Sequence, residues 1–222
     1  ITKLAHIHFT TNQQASNRLL AMGEALWRVH TVGFPAIDLI QENKFATSSE
    51  LVNLYNLDLK KPIVLFTQHS VTTEFHEATN QIKPALYALK KLAIEGVQII
   101  ITYPNNDAGG RKIIDTINDF KNSEFANIDN IQIYSSLGRY NYHGILALAS
   151  DSSNKICCVG NSSSGIKETP RVYPFNSCET DVISLLYSAT KYLIFFYLGN
   201  FRNRVIIWIT YTLNIIPSGI LI

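Results

Sequence analysis

Cysteine is scarce in this chain: three residues in 222, Cys157, Cys158 and Cys178, none at a paired spacing. That excludes a disulfide scaffold and a structural zinc site, and it fits a reducing compartment. An excess of one charge is also missing. Nineteen lysines and arginines against seventeen carboxylates leave a formal net charge of +2, too little to draw DNA or RNA to the surface. No dinucleotide glycine fingerprint and no ligand-spaced His/Cys/Asp/Glu cluster occurs, so neither a cofactor nor a metal is expected. No secretory leader pattern opens the sequence, which makes cytoplasmic the expected location. Ile1 falls inside what reads as a structural element, and a piece of a longer protein is expected. Finally, no acidic residue follows Asp181.

What is present is organised around CVGNSSSGIKET, Cys158 to Thr169. The apolar run Ile156, Cys157, Cys158, Val159 predicts a buried strand. Gly160, Asn161 and three serines make a tight turn, and Gly165 to Glu168 reads as the first turn of a helix. Small residues let a ligand approach the backbone, and the open N–H groups of a helix N-terminus favour an anion such as phosphate. The residues therefore suit a nucleotide-diphosphate cradle, with Glu168 taking a ribose or sugar hydroxyl. An ordinary serine-capped strand-to-helix turn has the same pattern.

Upstream, Leu4 to Phe9 alternates like a strand, placing His6 and His8 on one face. That arrangement suits a metal pair and, more commonly, a half-buried strand face. Thr10 to Met22 predicts a short helix with a Thr11/Gln14 capping box, and Trp27 to Val32 a second strand. Residues 38–61 are polar and weakly helical, as in a crossover. A regular alternation starts at Pro62: strands at 63–66, 97–102, 131–134 and 155–159, with helices at 81–96, 111–120 and about 142–149. Successive β–loop–α units predict an α/β fold with a parallel sheet and covering helices.

In such sheets ligands bind beyond the carboxyl ends of the strands, and the chemically distinctive residues fall there. His69 is suited to proton transfer or to a phosphate oxygen. Asn105 and Asp107 suit a ribose or base, although Asn-Asp-x-Gly is also common turn chemistry. Tyr140, Tyr142 and His143 offer rings for stacking on a base, or belong to the core. Arg139 faces phosphate or water, Ser162, Ser163 and Ser164 supply hydroxyls, and His76 reads as solvated.

The segments QHSVTTE (68–74), TYPNNDAGG (102–110), LGRYNYHGILAL (137–148) and CVGNSSSGIKETP (158–170) closely resemble the hydrolysing UDP-N-acetylglucosamine 2-epimerases. The stretch from residue 8 to 40 is similar as well, so the resemblance covers roughly residues 1–170. It implies a Rossmann-like parallel sheet forming the C-terminal half of a glycosyltransferase-B arrangement. Residues 1–40 would be the remnant of a first Rossmann-like domain with its crossover, and residues 41–170 the nucleotide-binding domain. It further implies His69 as the catalytic residue and Asn105, Asp107, Tyr142, His143, Ser162, Ser163 and Glu168 as substrate-binding residues. The implied partner is a UDP-sugar, with no nucleic acid, no cofactor and no metal; intact members of the family are expected to be homo-oligomers. The implied reaction is anti elimination of UDP, giving 2-acetamidoglucal, followed by addition of water.

Residues 171–222 depart from that pattern. Ile, Tyr, Phe, Leu and Asn dominate there, and two apolar stretches, 182–199 and 205–222, raise a membrane hairpin. Scattered polar residues and Pro217 weigh against it, and translation past a frameshift is the preferred expectation for this tail. Two rival readings of the chain are a glycosyltransferase-B transferase and a non-catalytic nucleotide-binding or membrane-attached relic.

Overall fold

A computed structural model describes residues 1–149, 151 and 153–162. The chain divides into two compact units, Ile1–Lys44 and a second beginning at Phe45. The expected helix after Gly165, the tail at 171–222 and Cys178 lie outside the described residues.

The first unit holds β1 (His8–Thr10), α1 (Gln13–Ala21), β2 (Val29–Thr31) and α2 (Pro35–Gln41), with β1 and β2 paired in parallel, His8 opposite Val29. Asn12, not Thr11, caps α1: its backbone is extended and its side-chain oxygen accepts from the Ala15 amide at 2.9 Å. That position satisfies one of the open amides of the first turn, which Thr11 is one residue too early to reach. The second strand is shorter than expected. Leu26–Arg28 forms a 3₁₀ turn, and from it the Arg28 guanidinium donates to the carbonyls of Ala5 and His6, each at 2.7 Å.

The paired-histidine face does not form. His6 is exposed and precedes β1, whereas His8 is buried with Nε2 3.3 Å from Glu24 Oε2. Glu24 is the electrostatic centre of this unit. Its buried carboxylate also meets Lys3 Nζ at 2.7 Å and Arg28 Nη1 at 3.4 Å, which is the arrangement a buried carboxylate requires. A chain of hydroxyls, Thr10 to Ser16 to Thr31 with both contacts at 2.6 Å, ties α1 to both strands.

The second unit opens with α3 (Ser48–Tyr55), where only a weakly helical crossover was expected. Its start is fixed by a reciprocal capping box between Thr47 and Glu50, a local signal that short, mixed composition hides. Then follow β3 (Ile63–Thr67), α4 (Ala78–Ile94), β4 (Gln98–Thr102), α5 (Gly110–Asn122), β5 (Ile131–Tyr134), α6 (Gly138–Leu148) and β6 (Ile156–Gly160). All pairings are parallel and the strand order is β5-β4-β3-β6. The strands read as continuous apolar runs because both faces are covered. Val64, Phe66, Ile99, Ile101, Cys157 and Val159 pack with α4 and α5. Ile63, Leu65, Ile100, Ile156 and Cys158 pack with α3 and α6.

The longest helix, α4, shows the periodicity at work. Ile82, Leu86, Leu89 and Leu92 are each at most 2% exposed, and burying each such side chain contributes roughly 2 kcal/mol. It begins three residues before the predicted start and carries Pro84 within its second turn. Among the described residues, no helix is long and apolar enough to cross a membrane.

Candidate functional site

The strand order creates a specific locus. From β3 the chain steps outward to β4 and β5, then returns across to place β6 on the other side of β3. The order of the strands therefore reverses between β3 and β6, and such a switch point is where open parallel sheets bind ligands. His69 follows β3 and Asn161 follows β6, so these two residues flank the switch point.

The loops there are locked to one another. The His69 amide donates to Asn161 Oδ1 at 2.7 Å, and Asn161 Nδ2 donates to the His69 carbonyl at 2.9 Å. From the neighbouring loop, the Asn105 amide donates to His69 Nδ1 at 3.1 Å. Asn105 Nδ2 in turn donates to Asp107 Oδ2 at 2.7 Å, and the Asp107 amide to Asn105 Oδ1 at 3.3 Å. Ser70 Oγ donates to the Ala108 carbonyl. Gln68 is buried beneath this layer and donates to the Gln81 carbonyl at 3.3 Å, while Gln81 Nε2 donates to Glu74 at 2.8 Å. The loop after β3 is thus held by α4 below and by two other loops at its sides.

Two glycines make the close fit possible. Gly109, with φ +87°, precedes α5, and a Cβ there would stand 2.8 Å from the Phe75 carbonyl oxygen and 3.0 Å from Ser70 Cβ. A Cβ on Gly110 would stand 2.5 Å from the Asn105 carbonyl oxygen. Without side chains at 109 and 110, Asn105 and the start of α5 close onto the loop carrying His69.

His69 is half-buried, and burial lowers its pKa below the ordinary histidine value of 6.5; the Asn105 side chain and the nearby Asp107 carboxylate oppose that shift. With Nδ1 accepting the Asn105 amide, the neutral ring carries its proton on Nε2. The ring is therefore set up as an uncharged N–H donor near neutral pH.

Of the residues expected at the site, His69, Asn105 and Asp107 come together, with Asn105 and Asp107 exposed at the rim. Ser162 follows the Asn161 clamp and is half-buried. Ser163, Ser164 and Glu168 lie outside the described residues. Tyr142 is half-buried and packs against the α3/α6 core cluster. His143 is only 2% exposed, on the face of α6 that is turned inward, the core placement that its sequence position also allowed. Gly144 next to it explains the packing, since a Cβ there would meet the Ala46 carbonyl oxygen at 2.6 Å. Tyr140 is exposed, with its hydroxyl 3.3 Å from Glu50. Asn161 was missed as an individual site residue. Its signal was present: a carboxamide directly after the glycine that ends a buried strand.

No group of three or more potential metal ligands occurs among the described residues. The fold and rim define a parallel α/β protein with a polar, hydrogen-bonded edge at its topological switch point. The chain belongs to the UDP-N-acetylglucosamine 2-epimerase family, whose model matches residues 1–174. It is 33% identical over 171 residues to a UDP-N-acetylglucosamine 2-epimerase of Neisseria meningitidis serogroup B, covering 77% of this chain and 41% of that protein. It is 30% identical over 172 residues to a hydrolysing GDP/UDP-N,N'-diacetylbacillosamine 2-epimerase of Campylobacter jejuni, again covering 77% and 41%. The crystal structure of a Neisseria meningitidis UDP-GlcNAc 2-epimerase bound to UDP-GlcNAc is similar at 16% identity and a TM-score of 0.49, covering 82% of this chain and 48% of that one. The chain thus spans less than half the length of these relatives.

Proposed function

We propose that this chain is the nucleotide-holding part of a hydrolysing UDP-N-acetylglucosamine 2-epimerase, acting on UDP-N-acetylglucosamine or a diacetamido analogue. The carrying observation is the cluster of His69, Asn105 and Asp107 at the switch point, next to the strand end that Asn161 and Ser162 follow. In the proposed reaction a base removes the proton on C2 of the sugar and the C1–O bond to the diphosphate breaks. The electron pair of the C2–H bond forms the C1–C2 double bond, and UDP leaves with the pair of the C1–O bond. Water then adds across that double bond to give the free 2-epimeric sugar.

Each residue receives a role from its chemistry. His69, neutral with a proton on Nε2, donates to the departing diphosphate, where negative charge accumulates. Asn105 and Asp107 present an amide and a carboxylate to ribose or base. Ser162 and Ser163 donate to the diphosphate, and Glu168 accepts from a ribose hydroxyl. The relatives' names support the epimerase chemistry, and the hydrolysing type follows the diacetylbacillosamine enzymes. A glycosyltransferase-B arrangement and a homo-oligomeric intact enzyme belong to the same proposal. The base at C2 is not assigned to any described residue. This chain alone is therefore proposed to bind UDP weakly and to turn over little.

Calorimetric titration of the purified 222-residue chain with UDP tests the reading. Saturable UDP binding, with none by free N-acetylglucosamine, is expected. A chain that binds no UDP overturns the nucleotide-holding role, and rapid UDP release from UDP-N-acetylglucosamine overturns the assignment of low turnover.

A further inference from the structure

The geometry points to Asn161 as the positioning residue of the site: its carboxamide grips both main-chain polar groups of His69 and thereby sets where the histidine stands at the switch point. The donor and acceptor of one side chain are both spent on one residue, at 2.7 and 2.9 Å, across 92 positions of sequence. A peptide group extending past the end of β3 has lost its ladder partners and must find others. Asn161 supplies them from the end of β6, the neighbouring strand at the switch point. A carboxamide suits this task, since it offers an acceptor and two donors on separate atoms of a short planar group.

A second observation supports the assignment. Thr67 and Gly160 are the last registered pair of β3 and β6, and a Cβ on Gly160 would fall 1.8 Å from the Thr67 carbonyl oxygen. The two strand ends approach more closely than any side-chain-bearing residue permits. That approach brings the Asn161 carboxamide within reach of His69. The imidazole is then held from two directions, its backbone by Asn161 and its Nδ1 by the Asn105 amide. The Asp107 carboxylate acts electrostatically on this ring.

The functional weight of Asn161 rests on the reading of His69 given above; the clamp itself does not. The test uses the full chain labelled with ¹⁵N. The His69 amide should exchange with solvent at least about 10-fold more slowly than an unprotected peptide amide, because its hydrogen is donated. Asn161→Ala should abolish that protection, shift the His69 imidazole pKa back toward 6.5 and weaken UDP binding several-fold. Asn161→Asp keeps the acceptor, gives up the donor and sets a negative charge at the His69 main chain, so it should retain the amide protection and raise the His69 imidazole pKa; if the alanine variant does not fold, lost protection or an unmoved pKa in this variant overturns the inference. An unprotected His69 amide in the unmodified chain overturns the inference, as does an alanine variant with unchanged amide exchange and imidazole pKa. The two readings fail separately. If UDP leaves His69 unperturbed while Asn161→Ala still moves its ring, the functional reading falls and the clamp stands. If UDP perturbs His69 and Asn161→Ala changes nothing there, the clamp falls and the functional reading stands.

Discussion

Gly160 pairs with Thr67 at the end of the β3–β6 ladder, and a Cβ built on Gly160 lies 1.8 Å from the Thr67 carbonyl oxygen. Backbone cannot yield as the tip of a flexible side chain does, so the two strand ends must separate to admit any substituent. Gly160→Ala is expected to cost about 3 kcal/mol or more of stability, at the upper end of overpacking effects. Urea unfolding of the chain measures this. A midpoint unchanged from the parent would show that the strand ends are not in contact as described.

Gly109 carries a related constraint for a different reason. Its φ of +87° is poorly populated by residues with a side chain, and the Phe75 carbonyl oxygen and Ser70 Cβ crowd the missing Cβ. Gly109→Ala should destabilise by about 2 kcal/mol, the combined effect of a left-handed alanine and mild overpacking. Because the strain falls on the contact between two rim loops, amides near Ser70 and Ala108 should lose exchange protection before those of β4. Equal loss throughout the sheet would contradict that localisation.

The ionisation of His69 has a defined sign. Burial holds its folded-state pKa below 6.5, so between that value and 6.5 the unfolded chain binds the proton more readily. The stability contributed by neutral His69 is therefore complete above about pH 6.5 and falls as pH drops through the window toward the folded value. Asp107 works against the shift, so Asp107→Asn should lower the His69 pKa further. Histidine NMR titration of the parent chain and this variant checks both statements; a rise in the variant would contradict the assignment of Asp107.

Glu24 gives a loss of stability of the same sign in the first unit, at lower pH. The Lys3 hydrogen bond, followed by those of His8 and the charge of Arg28, holds its pKa below 4.5 against the effect of burial. Stability from this carboxylate is present above pH 4.5 and is lost as pH falls through the folded value. Glu24→Gln should weaken the first unit at neutral pH and flatten its acid-side loss of stability. Thermal melts followed by amide exchange in β1 and β2 measure it, and an undiminished acid dependence in the variant would assign the effect elsewhere.

These predictions draw on features that were unequally legible in the sequence. The strands of the second unit stood out because a sheet covered on both faces forces nearly continuous apolar runs such as IVLF and ICCV. The gathering of His69, Asn105 and Asp107 followed from the rule that parallel strands deliver their following loops to one edge. The helices α2 and α3 were obscured because each is short and its start is set by a single cap or proline, with little periodicity to see. The inward placement of His143 was not legible, because a ring at the opening of a helix looks the same in sequence whether it faces a ligand or the core. The Asn161 clamp was invisible for a different reason: it depends on which strand lies beside β3, and the return of β6 to that position is a property of the sheet rather than of any local pattern.

The central claim is that loops from separate strands form one nucleotide-holding edge at the β3–β6 switch point. Chemical-shift mapping of the ¹⁵N-labelled chain during UDP titration tests it most directly. Concerted, saturable shifts are expected at His69, Asn105, Asp107, Asn161 and Ser162, with the amino-terminal ends of the strands, at Ile63, Gln98 and Ile156, unperturbed. Shifts confined to the amino-terminal edge, or none at all at saturating UDP, would contradict it.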